Sequence, residues 1–296
     1  PQESDKLALN IFASDAGRIE ANMSTAIKIK KNLYTGIMAH VEDEVLEHDA
    51  NKDGFLDQPK INQYHVFNRW YYQTDKYRAQ AGIKVLQEER LSGQLSSIDN
   101  PYKIGVSTNR YEMFLKNGYI LDASKDKSIG LIISGTQHEQ DTYFGLKFYK
   151  AEHTNLYANL LYQTRFENHH QLVTGGSFNL DRYEESLPAF STIREEVVPG
   201  IFGEYNLNYH HKILIVTGLR ADYHNQYGLF VTPRLHVKYN PSDYLHLRLS
   251  AGKGYRTPNV LAENNFLLAS NREMKNIESL KNLKQEEAWN YGFNTS

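Results

Sequence analysis

With 296 residues, 40% of them hydrophobic, and a net charge of −2, the chain can fill one large domain or two small ones, and it is neither a disordered polymer nor a basic nucleic-acid binder. It has no cysteine, which excludes disulfide staples and thiolate metal sites, and no apolar run approaches the roughly 18 residues of a membrane-spanning helix. Its 21 Tyr and 13 Phe against 2 Trp, 4 Met and 8 Pro favour strands.

Strand-like alternation begins at once. From Arg18 onward Ile19, Ala21, Met23, Thr25, Ile27 and Ile29 share one face, while Arg18, Glu20, Asn22, Ser24 and Lys28 share the other. After a third strand the chain reads EHDANKDGFLDQPK over residues 47–60. Asp49, Asn51 and Asp53 followed by Gly54 begin like an EF-hand loop, but its twelfth position, where a bidentate Glu belongs, is Lys60. A true EF-hand is excluded. Two readings remain: Asp49, Asn51, Asp53 and Asp57 gather a calcium ion, or they form an Asx-rich turn in which Gly54 supplies a positive φ. The turn is preferred.

The same two-faced pattern recurs downstream. Leu156, Ala158, Leu160, Tyr162, Thr164 and Phe166 oppose Tyr157, Asn159, Leu161, Gln163 and Arg165; Ile201 to Tyr209 and Leu245 to Leu249 repeat it. In all, the alternation predicts fourteen strands: 6–15, 17–29, 33–46, 61–73, 77–90, 109–122, 127–139, 153–166, 170–183, 196–209, 212–224, 229–240, 244–256 and 285–296. They are longer than the roughly 5 to 6 residues of an ordinary globular strand and match the roughly 9 to 11 of a tilted transmembrane one.

Connections decide the class. Short polar ones at 30–32, 74–76, 124–126, 167–169, 210–211 and 241–243 alternate with mostly longer ones at 47–60, 91–108, 140–152, 184–195 and 257–284; tight exceptions fall near Gly17 and at 226–228. This pattern predicts an all-β fold, a transmembrane antiparallel up-and-down β-barrel with short turns on the periplasmic side. Trp70, Tyr72, Tyr77, Tyr162, Phe166, Tyr205, Tyr209, Tyr239 and Tyr244 lie near short turns, as an interfacial girdle would. A mean hydropathy of −0.60 is compatible, because only alternate residues meet lipid. A soluble sandwich or propeller is the weaker alternative, since its strands would be shorter. The chain opens at Pro1 and stops at Ser296 inside a strand-like pattern, so it is expected to be a piece of a longer protein.

The segments GKGYRTPNVLAEN from Gly252 and NLKQEEAWNYGFN from Asn282 resemble paired motifs of TonB-dependent outer-membrane receptors, roughly F-R-x-P-N-x-x-E-L and N-L-x-P-E-x-x-x-x-Y-E-x-G. DANKDGFLDQP followed by Asn68-Arg69-Trp70 resembles the early barrel of Bacteroidetes members of that family. The resemblance implies that residues 1–296 are one partial barrel, about fourteen of 22 strands, without the plug domain and the last strands. It further implies a Gram-negative outer membrane as the location, lipid contact, and import of a ferric siderophore, haem or cobalamin driven by TonB acting through the plug. A passive porin-like channel and, behind it, a barrel enzyme are the alternatives. No catalytic residue is expected: G-x-S-x-G, H-E-x-x-H and glycine-rich phosphate loops do not occur. Arg256 and Asn259 are the candidate ligand contacts, although hydrogen bonding to a plug is the preferred role. His169-His170 and His210-His211 read as solvated turn imidazoles in preference to a metal pair. Apart from calcium at residues 49–57, no cofactor is expected.

Overall fold

The computed structural model describes residues 6–167, 169–188, 190–210, 212–242, 244–271 and 283–296. Asn168, His211, Asp243 and Asn282, all part of the expectations above, lie outside the described residues. The strands are β1 (Leu7–Ala13), β2 (Arg18–Lys30), β3 (Leu33–Glu44), β4 (Lys60–Gln73), β5 (Tyr77–Gly93), β6 (Lys103–Asp122), β7 (Lys127–Phe144), β8 (Lys147–Phe166), β9 (His170–Leu187), β10 (Phe190–Tyr209), β11 (Ile213–His224), β12 (Gly228–Ser242), β13 (Leu245–Arg256) and β14 (Glu286–Thr295). A five-residue helix, α1 (Val260–Asn264), and a 3₁₀ turn over Asn265–Ala269 follow β13. No helix among the described residues is long and apolar enough to cross a membrane.

All fourteen strands join one antiparallel sheet in strict sequence order, with β1 and β14 at its two edges. Register carries the sequence alternation across the sheet. Leu131, Leu160, Gly176, Ile201, Ala221 and Val231 pair in succession from β7 to β12 and form one apolar outer row. One residue along, Ile132, Asn159, Ser177, Gly200, Asp222 and Phe230 form the neighbouring inner row. A slip of one residue in any pairing would exchange these faces, so the apolar set fixes the register.

Polar groups on the outer face are satisfied locally, as a hydrocarbon surround requires. Asn68 donates to Thr35 Oγ1 at 2.9 Å and to the Gly36 carbonyl at 3.1 Å, and accepts from Trp70 Nε1 at 2.6 Å. The Thr174 hydroxyl donates to the Phe202 carbonyl at 3.0 Å. Three glycines face aromatic rings across the ladder: Gly82 opposite Phe114, Gly105 opposite Tyr143 and Gly175 opposite Phe202. At Gly175 a Cβ would sit 2.2 Å from the Leu160 carbonyl oxygen and 2.7 Å from the Phe202 ring. The missing side chain is what lets the ring lie flat on the sheet.

Three expected loops are corrected. Residues 140–152 and 184–195 are not long connections, because β7 and β8 pair out to Phe144 and Lys147, and β9 and β10 out to Leu187 and Phe190. The loop expected at 91–108 likewise shrinks, since β6 begins at Lys103. These outer ends carry polar side chains on both faces: Gln137, Glu139 and Asp141 on one side of β7, His138, Gln140 and Thr142 on the other. Without an apolar face, the period-two signal disappears although the ladder continues. Short and long connections therefore do not simply alternate; tall hairpins stand where long loops were expected.

Candidate functional site

Beyond β13 the chain bends at Pro258, and residues 257–271 cross the inner side of the sheet as a strap. Leu261 and Leu268, 3% and 7% exposed, pack against Phe144 and Tyr149, with Tyr102, Ile104, Leu187 and Phe190 around them. The far end is tied by the Tyr102 hydroxyl donating to the Ala269 carbonyl at 3.0 Å and by Lys147 Nζ donating to the Ser270 carbonyl. The near end is tied by Arg194 Nη1 donating to the Pro258 carbonyl at 3.1 Å. The strap thus reaches from β13 to the outer ends of β6 and β8.

Arg256, expected to touch ligand or plug, forks the base of this strap. Its guanidinium donates to Glu263 at 2.7 and 3.3 Å and to Glu286 at 2.9 and 3.1 Å, joining β13, α1 and β14. The Asn259 N–H, 3.1 Å from Glu263 Oε1, together with Arg256 holds the Glu263 carboxyl below the usual carboxylate range. Asn259 differs from Arg256. Its side-chain oxygen is buried without a partner and borders a cavity of about 420 Å³, lined also by Glu185, Arg194, Gln226, Tyr227 and Leu261.

Beneath the strap the inner wall carries a polar and aromatic network. The Tyr149 hydroxyl donates to Glu185 at 2.7 Å. The His153 ring stacks on Tyr183 at 4.3 Å and its Nε2 lies 2.7 Å from Asp181 Oδ1, while the Arg194 guanidinium lies over the Tyr183 ring, 4.6 Å from its centre. Arg194 also meets Glu196 at 3.0 Å, and Glu196 meets His224 Nε2 at 3.3 Å. Because His224 Nδ1 accepts from the Gln226 N–H at 3.1 Å, the bonding pattern assigns the ring proton to Nε2, facing Glu196. One step lower, Arg220 forks onto Asp222 with two contacts of 2.6 Å and donates to Ser177 Oγ at 2.6 Å, while the Tyr255 hydroxyl approaches Asp222 at 3.3 Å. Asp222 and His224 are buried, so their polar partners are structural necessities. Apart from Tyr255, which belongs to the GKGYRTPNVLAEN segment, none of these inner-wall residues was singled out from sequence; alternation says which face a residue occupies, but only register says what lies across from it.

The acidic loop is a turn. Asp49 accepts the N–H groups of Asp53 at 3.0 Å and Gly54 at 2.9 Å, Asn51 accepts that of Asp53 at 3.1 Å, Asp53 that of Phe55 at 2.8 Å and Asp57 that of Ala50 at 2.7 Å. Gly54 has φ +84°. The turn then clasps the 94–102 loop: Leu56 N donates to the Gly93 carbonyl, Leu95 N to the Gly54 carbonyl, and Glu47 accepts from the Ser96 N–H at 2.9 Å and hydroxyl at 2.5 Å. Those two Ser96 bonds, with Lys60 adding, hold the Glu47 carboxyl down to about 2. His169 Nδ1 lies 2.9 Å from the Asn208 carbonyl oxygen and His170 Nδ1 2.5 Å from the Tyr205 hydroxyl. Among the described residues no three His, Asp or Glu side chains are gathered as metal ligands.

Residues 39–294 match the family described as TonB dependent receptor-like, beta-barrel. The chain belongs to this family. Solved structures agree in fold: the ferric enterobactin receptor PfeA of Pseudomonas aeruginosa in complex with enterobactin (12% identity, TM-score 0.66, 86% of this chain and 44% of that one); the siderophore receptor PirA of Acinetobacter baumannii (15%, 0.63, 86% and 43%); and the copper transporter OprC (10%, 0.69, 86% and 46%). The chain spans less than half the length of these receptors. No curated protein sequence matches it. The open, fourteen-stranded sheet is therefore a partial TonB-dependent receptor barrel, and its named structural neighbours are receptors and transporters.

Proposed function

We propose that this barrel belongs to a Gram-negative outer-membrane receptor that imports a scarce ligand of the ferric siderophore, haem or cobalamin class. In this reading a plug domain elsewhere in the parent protein fills the lumen and couples to TonB, and no covalent chemistry is performed. The observation that carries the reading is the cavity at the mouth, where Arg194, Tyr227, Glu185 and the unpartnered Asn259 oxygen converge under the strap. Apolar and aromatic surface with a few convergent polar groups suits a small chelate. Arg256 is assigned to holding the strap, its donors being taken by two glutamates.

The test is ligand uptake by the full-length receptor in cells with and without TonB, with ferric siderophores, haem and cobalamin supplied in turn. Uptake of one ligand that requires TonB supports the proposal. Ligand entry at equal rates in both strains makes the protein a passive channel.

A further inference from the structure

Several imidazoles of the wall are fully engaged. His40 lies between Asn22 at 2.7 Å and Glu42 at 3.5 Å, and His224 lies between Glu196 and the Gln226 N–H. At the opposite end of the sheet from the strap, His170 is engaged as well: its Nδ1 faces the Tyr205 hydroxyl, its Nε2 lies 3.6 Å from Glu167 and its ring stacks on Phe166. His169 and His210 are arranged differently.

These two come from neighbouring turns, one joining β8 to β9 and the other joining β10 to β11. The ladder sets their approach. His170 pairs with Leu207, and one step beyond it the Asn208 N–H donates to the His169 carbonyl at 2.9 Å. His210 turns back with φ +47°, in the left-handed region that histidine enters more readily than most residues. The two ring centres end 5.0 Å apart, with 57° between the planes. Two imidazoles on one ion, with metal–nitrogen bonds of about 2.0 to 2.1 Å in tetrahedral geometry, have their ring centres about 5 Å apart. The His169 Nδ1 lies 2.9 Å from the Asn208 carbonyl oxygen, which can only accept, so Nδ1 carries the proton and the lone pair is on Nε2. A backbone carbonyl on the far nitrogen is the bond that orients a metal-ligating imidazole. The Tyr209 ring meets both histidines edge-on, at 5.5 and 4.3 Å, so parting the two imidazoles forfeits two ring contacts.

We infer that His169 and His210 clamp one divalent ion of the nickel, copper and zinc group, with water completing its shell. Imidazole nitrogen suits these ions, whereas calcium and magnesium take oxygen ligands. The ion ties the β8–β9 turn to the β10–β11 turn and so staples the foot of three consecutive hairpins. The inference is independent of what fills or crosses the lumen.

The experiment uses the full-length receptor in lipid vesicles, stripped with a chelator. His169→Gln, His210→Gln and the double variant are compared with wild type and with His48→Gln in the outer loop, and heat-dependent gel mobility confirms the folded barrel. Calorimetry with Zn(II) reads affinity, electron paramagnetic resonance counts the imidazole nitrogens on bound Cu(II), and urea titration reads the staple. Each single variant should weaken Zn(II) binding at least about tenfold and reduce the nitrogen count from two to one, while His48→Gln changes neither. With free Zn(II) about 100-fold above its dissociation constant, the folded-to-unfolded ratio of wild type should rise by up to about 100-fold, a gain the double variant lacks. If a variant does not fold, the nitrogen count in wild type decides. Absence of Zn(II) binding, or affinity and nitrogen count unchanged in both single variants, overturns the inference and leaves a bare ring contact. Calcium bound as tightly as zinc overturns the assignment of the ion.

Discussion

Replacing Leu160 by arginine asks whether the outer face meets lipid. Leu160 is 51% exposed, beside Leu131 on one side and Gly176 on the other. The apolar stretch of β8 runs from Leu156 to Phe166. At roughly 3.3 Å per residue and a tilt of about 40°, its length covers about 28 Å along the membrane normal, close to the height of an outer-membrane apolar band. Leu160 falls near the middle of that band. An arginine there costs about 2 to 4 kcal/mol, which lowers the folded-to-unfolded ratio by about 30- to 900-fold. Its neighbour Asn159 faces inward and donates to the Tyr157 hydroxyl at 2.8 Å. Asn159→Arg loses that bond, worth about 1 kcal/mol, but the charge stays in a polar lumen. Urea titration of the full-length receptor refolded into lipid vesicles, with heat-dependent gel mobility as the signal of folded barrel, separates the two variants. Equal losses would refute the assignment of faces and return the soluble sandwich to consideration.

Arg256→Gln should leave the barrel intact while loosening the strap, seen as faster proteolytic nicking within 257–271. The Glu47 clasp has a defined pH window: its folded-state pKa of about 2 lies below the ordinary 4.5, so its contribution is complete above pH 4.5 and is lost as pH falls toward 2. Pepsin should therefore nick the 94–102 loop faster in Glu47→Gln than in wild type near pH 4.5, with the ratio of rates approaching one near pH 2. Gly175→Ala forces a Cβ against backbone and the Phe202 ring and should cost about 1 to 3 kcal/mol in the same urea titration. If the oxygens of Asp49 and Asp53 serve only the turn, calorimetry at millimolar calcium gives no binding heat, and Asp49→Ala with Asp53→Ala raises loop exchange equally with and without the ion.

All fourteen strands were legible because each keeps an apolar face over at least part of its length. Leu156 to Phe166 is the clearest case, its predicted inner and outer sets being those the register imposes. Legibility ended where both faces turn polar, as in Gln137 to Thr142, and the tall hairpins were missed there. The DANKDG turn was readable from Asp, Asn and Gly spacing alone, since its bonds span a few residues. The inner-wall partners were not. Ser177 and Arg220 are separated by 43 residues and Tyr102 and Ala269 by 167, and nothing local marks such pairs.

Strict sequence order in the sheet also fixes when each part of the molecule can form. Every ladder joins neighbours in the chain, so strands can be added one at a time, each new one templated by the edge just completed, with modest loop-closure entropy at every step. The strap is the exception. Its docking requires β6, β8 and β13 to be in place together, so it closes after the wall it ties, and the mouth acquires its cavity as the last event in the maturation of this portion of the barrel.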